Sequence, residues 1–524
     1  MFSKLYSAQV DLLKASLVSV ETDLSKGLHS FSIVGLASKA VDEAKDRVSS
    51  AVKNTGFKSP KVKNQKIIVS LAPADIKKDG PLFDLPIALG YLLATGDIEF
   101  DGKDRLFIGE LSLDGKVCKV KGVLPIVSFA KKSGFKEVYI PKDNLEEASL
   151  ISGIDIFPVE SLFDVVAHLN IKKNKKTEVD PKEFVVPSRK ILKASSKDLN
   201  LKKQQNDEDN ENDFSFIKGQ EVAKRALQIA CAGGHNIVLY GPPGTGKTML
   251  ARSVLSILPD LSEEDVFEVT SIYSVYEGLH SGIISRPPFR NPHHSSSYVS
   301  IVGGGSSVRP GEVTLSHKGV LFLDEMPEFD LKALEALREP LEEGKIRISR
   351  AKGSSIFPAN FLLIGAMNPC PCGFYGVSGK DCKCSAISIE KYRRKLSGPI
   401  VDRIDLWVEV SSIGFDKIID KSLSESSYKI KEKVLKARQE QLKRKEVFGV
   451  SLNKDLKTKD LQNFKLDEGC QKVLKDAVLK FGLSTRSYYK LLKISRTIAD
   501  LDQSSVIKMG HIMEALQYRR KQDF

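Results

Sequence analysis

The chain has 524 residues, more than a single hydrophobic core usually supports, which predicts roughly two to four domains and excludes one small module. Hydrophobic residues at 41% and charged residues at 28% are ordinary globular values and exclude collagen-like, disordered and disulfide-scaffold classes. Lys and Arg number 80 against 67 Asp and Glu, a net charge of +13 that suits a polyanionic partner and equally describes proteins that bind none.

The stretch from Met1 to Val20 lacks a basic start leading into a long apolar run, so neither a secretory signal nor a membrane anchor is expected and the protein is read as cytoplasmic. Up to about residue 170, β-like runs such as Lys66–Leu71 and Glu137–Ile140 alternate with helical stretches such as Ala37–Asn54, an α/β or α+β pattern. Leu85–Gly96, apolar but interrupted by Pro86 and Gly90, is too short to span a bilayer and predicts a buried helix. The segment 171–213 then breaks the rhythm. It opens basic (Lys172, Lys173, Lys175, Lys176), closes acidic (Asp207, Glu208, Asp209, Glu211, Asp213) and has little to bury, which predicts a mobile linker.

Beyond it, the β-run Asn236–Tyr240 leads into Gly241, Pro242, Pro243, Gly244, Thr245, Gly246, Lys247 and Thr248, followed by a helical run from Met249. Strand, glycine-rich loop and helix in that order form a phosphate loop. Its backbone N–H groups point at phosphate oxygens, Lys247 adds a charge near the β/γ-phosphates and Thr248 offers a hydroxyl to Mg²⁺, so ATP and Mg²⁺ are the expected cofactors. A turn that merely caps a helix is the plainer reading, and the flanking strand and helix disfavour it.

A second apolar run, Gly319–Leu323, ends in Asp324 and Glu325. Asp324 is expected to reach the Mg²⁺ while Glu325 polarises the attacking water; alone, the pair would equally cap the next helix. A third run, Phe361–Gly365, continues into Asn368, whose amide would orient the lytic water, although an Asn before a Pro is commonly a turn residue. Cys370, Cys372, Cys382 and Cys384 follow at once. Four thiols suit a tetrahedral Zn²⁺ site, but one-residue gaps are looser evidence than two-residue gaps, and reduced packed cysteines remain the alternative. From about Gly414 the chain is polar and helical, with Ile430, Val434, Ala437 and Leu442 expected on one buried face of Lys429–Lys445.

The order of phosphate loop, strand with Asp-Glu and strand with Asn resembles an AAA+ ATPase. Phe289–His294, Val302–Gly305, Pro310–Glu312, Gly319–Glu325 and Met367–Gly373 together resemble the magnesium-chelatase-like family of YifB and ComM, from near Val10 to near Arg519. The resemblance implies a Lon-protease-like α+β domain (ribosomal S5 domain 2-like) over 1–170, an AAA+ P-loop core over 214–413 and a helical lid over 414–524. It implies a ring, expected to be hexameric, whose ATP site lies between subunits. Arg403 is then the finger supplied in trans, against the alternative of an ion pair with Asp402 or Asp405. Arg486, at a helix start in the lid, is then the sensor for the nucleotide of its own subunit.

The family also implies hairpin insertions facing the pore. The candidates are Val302–Arg309 and Ile346–Lys352 with a turn at Gly353–Ser354, where Arg347, Arg350 and Lys352 would track DNA phosphates. His293 and His294 would touch DNA, relay the nucleotide state or simply pack. Leu82 and Ile126 occupy the positions where Lon proteases carry the nucleophilic Ser and the catalytic Lys, so no peptidase dyad is expected. The function implied is an ATP-driven DNA motor of helicase or branch-migration type in natural transformation. Its rivals are a chelatase-like ATPase acting on protein partners and a regulatory protein that binds ATP without translocating.

Overall fold

The computed structural model describes residues 1–170 and 213–520 except 37, 63, 277–281, 306–308, 351, 352, 378 and 415–423. The segment 171–212, expected to be a linker, lies outside the described residues. The chain divides into two compact units. The first holds the residues before that segment together with the described part of Val266–Ile284; the second holds those from 213 to Asp265 and from Ser285 onward.

In the first unit, strands β1 (Phe2–Asp11), β2 (Lys14–Lys26), β3 (Ser30–Val34), β4 (Gln65–Ala72), β5 (Arg105–Phe107), β8 (Glu137–Pro141) and β9 (Asp155–Val159) form one sheet in the order β3-β4-β2-β1-β5-β8-β9. A small hairpin pairs β6 (Glu110–Leu111) with β7 (Val117–Cys118). Strand pairing is antiparallel between β1 and β2 and between β2 and β4, and parallel elsewhere in the sheet. The helix Asp84–Thr95 is almost wholly buried and ends on Gly96 in the left-handed conformation, φ +74°. Residues from the ATPase segment of the sequence join this unit through specific hydrogen bonds: the Gly122 N–H donates to Ser274 O at 3.1 Å, and the Ser274 hydroxyl donates to the buried Glu147 carboxylate.

The second unit is built on a five-stranded parallel sheet. It contains β10 (Ile237–Tyr240), β11 (Phe289–Arg290), β14 (Val320–Leu323), β17 (Leu362–Met367) and β18 (Leu406–Glu409), ordered β11-β14-β17-β10-β18. β10, β14 and β17 are buried at every position, the pattern of strands covered on both faces. Two hairpins branch from the sheet: β12 (Gly303–Gly304) with β13 (Arg309–Pro310), and β15 (Lys345–Arg350) with β16 (Gly353–Pro358). The helices Ser427–Lys443, Glu468–Phe481, Thr485–Leu501 and Met509–Gln517 contribute to the same apolar core as the sheet. This is the α/β architecture of a P-loop core with a helical C-terminal region.

The buried face of Ser427–Lys443 differs from the sequence reading at its last member. Ile430, Val434 and Ala437 are buried, but Gln441 follows them inward and Leu442 is 52% exposed. Spacings of four, three and four residues keep one stripe on a helix, and Gln441 fills its last place because its amide is matched. It donates to Ala232 O at 3.0 Å and accepts from Asn453 N at 2.8 Å.

Candidate nucleotide site

The carboxyl ends of β10, β14 and β17 bring three separate sequence stretches together. β10 runs directly into Gly241, whose N–H donates to Met367 O at the end of β17. The loop then curls through Pro242, Pro243, Gly244 and Thr245 to Gly246, which caps the helix Lys247–Ile257 at φ +85°, a backbone state that favours glycine. Lys247 Nζ donates to Gly241 O at 2.8 Å, Pro242 O at 2.7 Å and Asn368 Oδ1 at 3.2 Å. Burial pulls its pKa below the usual lysine range, opposed by Asp324 and Glu325. This largely buried ammonium is held by three neutral oxygen acceptors, beside the loop whose backbone would cradle an anion.

Thr248 Oγ1 donates to Asp324 Oδ2 at 2.8 Å. A hydroxyl and a carboxylate oxygen converging beside a phosphate loop are the hard oxygen donors that Mg²⁺ takes. Glu325 adopts φ +51°, a left-handed backbone for a non-glycine residue, the kind of strain that clusters at functional sites. Its carboxylate faces His294, with Nδ1 at 3.4 Å. The rings of His293 and His294 lie 4.2 Å apart. Of the roles left open for the pair, a relay of the nucleotide state is the one that requires this contact of His294 with Glu325. Tyr392, which sequence reasoning missed, is buried and interacts with the Asn368 backbone.

Arg403 and Arg486 lie elsewhere. Asn236, the residue before β10, donates from Nδ2 to Arg403 O at 2.9 Å, so Arg403 sits at the amino end of the strand whose carboxyl end carries the phosphate loop. Four strand residues separate the two places by roughly 13 Å. Arg486 is at the same end, away from the phosphate loop of its own subunit that the expected sensor role requires it to reach. Lys490, one turn further along its helix, donates to Ile404 O at 2.8 Å, and Arg403 and Arg486 share the Glu342 carboxylate, the latter at 3.7 Å. The partner of Arg403 is therefore Glu342, where sequence offered Asp402 or Asp405. Asp405 instead contacts His235, at 3.5 Å, and Lys490, at 3.6 Å.

Comparison with known proteins follows the same lines. A family model described as magnesium chelatase, subunit ChlI, matches residues 213–418; a second, subunit ChlI of Mg-chelatase, matches 20–144, and a third, for the ChlI C-terminal part, matches 424–519. The competence protein ComM of Haemophilus influenzae is 42% identical over 97% of this chain and 95% of its own length. The chain belongs to the magnesium-chelatase-like AAA+ family of ComM and YifB. The uncharacterized protein YifB of Escherichia coli is 40% identical over the same shares, whereas the magnesium-chelatase 67 kDa subunit of Chlorobaculum parvum aligns with only 30% of this chain, at 27% identity.

The family's ATP-binding core continues into the cysteine cluster. Cys370, Cys372, Cys382 and Cys384 bring their sulfurs within 4.8 Å of one another, with Cys370–Cys372 at 3.4 Å, Cys372–Cys382 at 3.6 Å and Cys370–Cys382 at 3.7 Å. Tetrahedral zinc with bonds of about 2.3 Å requires sulfurs about 3.8 Å apart, so the donor set fits a metal of that kind. The Phe374 backbone N–H, ahead of the Cys370 thiol, pulls Cys372 down to about 6, while burial and the neighbouring thiols push Cys382 and Cys384 up, so without a metal the cluster does not hold four thiolates at once. The cluster also touches the nucleotide site. A Cβ on Gly373 would come within 2.6 Å of Pro243 Cδ in the phosphate loop.

The β15–β16 hairpin has Ile346 and Ile348 buried, as expected of a half-buried strand. Arg350 pairs with Gly353 and Ser349 with Ser354 in register, so Gly353 and Ser354 belong to the second strand rather than to the turn expected there; Lys352 lies outside the described residues. Arg347 is bound to acids on the preceding helix, at 3.1 Å from Glu343 and 3.7 Å from Glu339. In the β12–β13 hairpin Gly304 pairs with Arg309; residues 306–308 of the expected Val302–Arg309 insertion lie outside the described residues. In the first unit, Leu82 and Ile126 are both buried in the apolar core. No helix among the described residues is long and apolar enough to cross a membrane.

Proposed function

We propose that the protein is an ATP-driven, ring-forming DNA motor of helicase or branch-migration type that serves recombination during natural transformation. The observation that carries this reading is the two-ended sheet. Lys247, Thr248, Asp324, Glu325 and Asn368 gather at one end while Arg403 and Arg486 lie at the other, roughly four strand residues away. An arginine in trans contributes several orders of magnitude to phosphoryl transfer, so a second copy completes the site and a closed ring, expected to be a hexamer, satisfies every interface. The name of the Haemophilus influenzae relative, a competence protein, supports DNA as the partner, and the net charge of +13 agrees.

Within that reading Lys247 and the loop 241–248 bind ATP, Thr248 and Asp324 hold Mg²⁺, Glu325 with Asn368 orients and activates water, and Arg403 completes the site. The four cysteines hold Zn²⁺ as a structural prop beside the loop. The first unit acts without peptidase chemistry, because Leu82 and Ile126 supply neither nucleophile nor base, and the protein works in the cytoplasm without a membrane partner.

The test measures ATP hydrolysis with and without single-stranded and branched DNA at low salt, and branch migration by wild type and Lys247→Ala. DNA-stimulated hydrolysis and migration by the wild type alone are expected. Equal migration by both proteins rejects an ATP-driven motor, and hydrolysis indifferent to DNA favours the chelatase-like or regulatory alternatives.

A further inference from the structure

At the amino end of the parallel sheet, one carboxylate faces two guanidinium groups. Glu342 Oε1 contacts Arg403 Nη2, and the same oxygen lies 3.7 Å from Arg486 Nη2. Arg403 is firmly seated: its side chain is 9% exposed and Nη1 donates to Pro399 O at 2.5 Å. Its Nε is buried without a hydrogen-bond partner among the described residues, so the fork is not fully satisfied by Glu342. Arg486 is half exposed, as is Glu342. Arg338 adds a third cation felt by Arg403, and its own partner is Glu335 at 3.0 Å. Three arginines thus share two carboxylates, leaving a surplus positive charge on an accessible face.

A phosphate group carries more charge and more acceptor oxygens than a carboxylate and matches a guanidinium fork in two contacts at once. We propose that Glu342 is a positioning residue: it gathers Arg403 and Arg486 into one unit in the free subunit, standing where a terminal phosphate of the nucleotide on a second copy binds, and yields to that phosphate on assembly. The proposal rests on the ring reading above. Its consequence is a competition. The Glu342 carboxylate opposes docking of the neighbour's triphosphate, so it sets how much ATP is needed to bring copies together and restrains hydrolysis before they are aligned.

The experiment uses the full chain without DNA. Wild type, Glu342→Gln, Arg486→Ala and the double variant Glu342→Gln/Arg486→Ala are compared for the ATP concentration that half-saturates self-association, followed by sedimentation, and for kcat and KM of hydrolysis. Glu342→Gln keeps shape and an acceptor oxygen while removing the charge. It is expected to lower the half-saturating ATP concentration and the KM by about three- to tenfold, with kcat within twofold of wild type. That gain should shrink to less than twofold between Arg486→Ala and the double variant, because the effect passes through the arginines. Unchanged ATP dependence in Glu342→Gln, or a gain of the same size without Arg486, overturns the proposal. So does a fall in kcat with folding intact by circular dichroism, since the carboxylate would then be needed in the assembled state. If the wild type neither associates with ATP nor hydrolyses it, the ring reading itself fails, a result distinguishable from variants that merely match an active wild type.

Discussion

The two ends of the parallel sheet in the second unit are built on opposite plans. At the carboxyl end a single buried lysine, Lys247, faces oxygen donors: Asn368 at 3.2 Å, and the Thr248 and Asp324 pair, 2.8 Å apart. At the amino end Arg403, Arg486 and Arg338 crowd around Glu342 and Glu335. The first end has what is needed to hold a triphosphate and its cation; the second has what is needed to neutralise charge on one. Neither set reaches the other within a chain, because strand length keeps them apart. On the proposed ring reading, the two sets meet between copies.

The sharpest way to break that comparison is to damage one end in each of two proteins and mix them. Lys247→Ala and Arg403→Ala are each expected to lose hydrolysis by on the order of 10³-fold or more. Mixed together they should recover a measurable fraction, since an Arg403→Ala copy has an intact phosphate loop and a Lys247→Ala copy beside it has an intact arginine. A mixture no more active than the two alone would mean that both ends serve the same chain. Glu325→Gln is the next largest effect: hydrolysis should fall by roughly 10²–10³-fold while ATP binding, read by calorimetry, stays near the wild-type value. Loss of binding instead would make Glu325 part of the cradle.

A smaller effect tests the carboxyl end alone. Gly373 has φ +85°, and a methyl there would press on Pro243 at 2.6 Å. Gly373→Ala should weaken ATP binding by roughly tenfold through displacement of the loop, with metal content per chain unchanged by mass spectrometry. Wild-type affinity in this variant would separate the cysteine cluster from the nucleotide site.

The carboxyl end was legible because its chemistry is local. Glycines that curl the backbone, a lysine, and an acid pair at a buried strand tip are each confined to a few residues, and strand order follows from buried apolar runs such as Val320–Leu323. The amino end was not legible in the same way. Arg403 and Arg486 were located by family resemblance, but Glu342, 61 residues from Arg403, carries no signal in an acidic helix where Glu339 and Glu343 look the same. Arg347 is a comparable case: its alternation with isoleucines is visible in sequence, yet its commitment to Glu339 and Glu343 depends on how the hairpin folds back on its helix. The seating of the described part of Val266–Ile284 in the first unit depends on long-range partners, Gly122 and Glu147, that nothing near Ser274 announces.

The smallest effect on activity is expected far from both ends, at Gln441. Hydrophobic periodicity favoured Leu442 as the buried residue, because an isolated glutamine has no reason to enter a core. It does so here because its amide meets Ala232 O, Ala437 O and Asn453 N, joining the helix Ser427–Lys443 to the helix Glu221–Gly233 and to the turn at Asn453. Gln441→Ala leaves those groups unpaired in a nearly dry place, which should cost about 1–3 kcal/mol of stability. Leu442→Ala, by contrast, should stay within about 0.5 kcal/mol of wild type because the side chain already faces water. Chemical denaturation reads both. If the division of labour lies at the ends of the sheet, Gln441→Ala should keep wild-type kcat and wild-type ATP affinity below its melting range. A loss of hydrolysis there without loss of fold would mean that the helical region transmits the nucleotide state through this contact, and that the two ends are coupled through the lid as well as through a neighbouring copy.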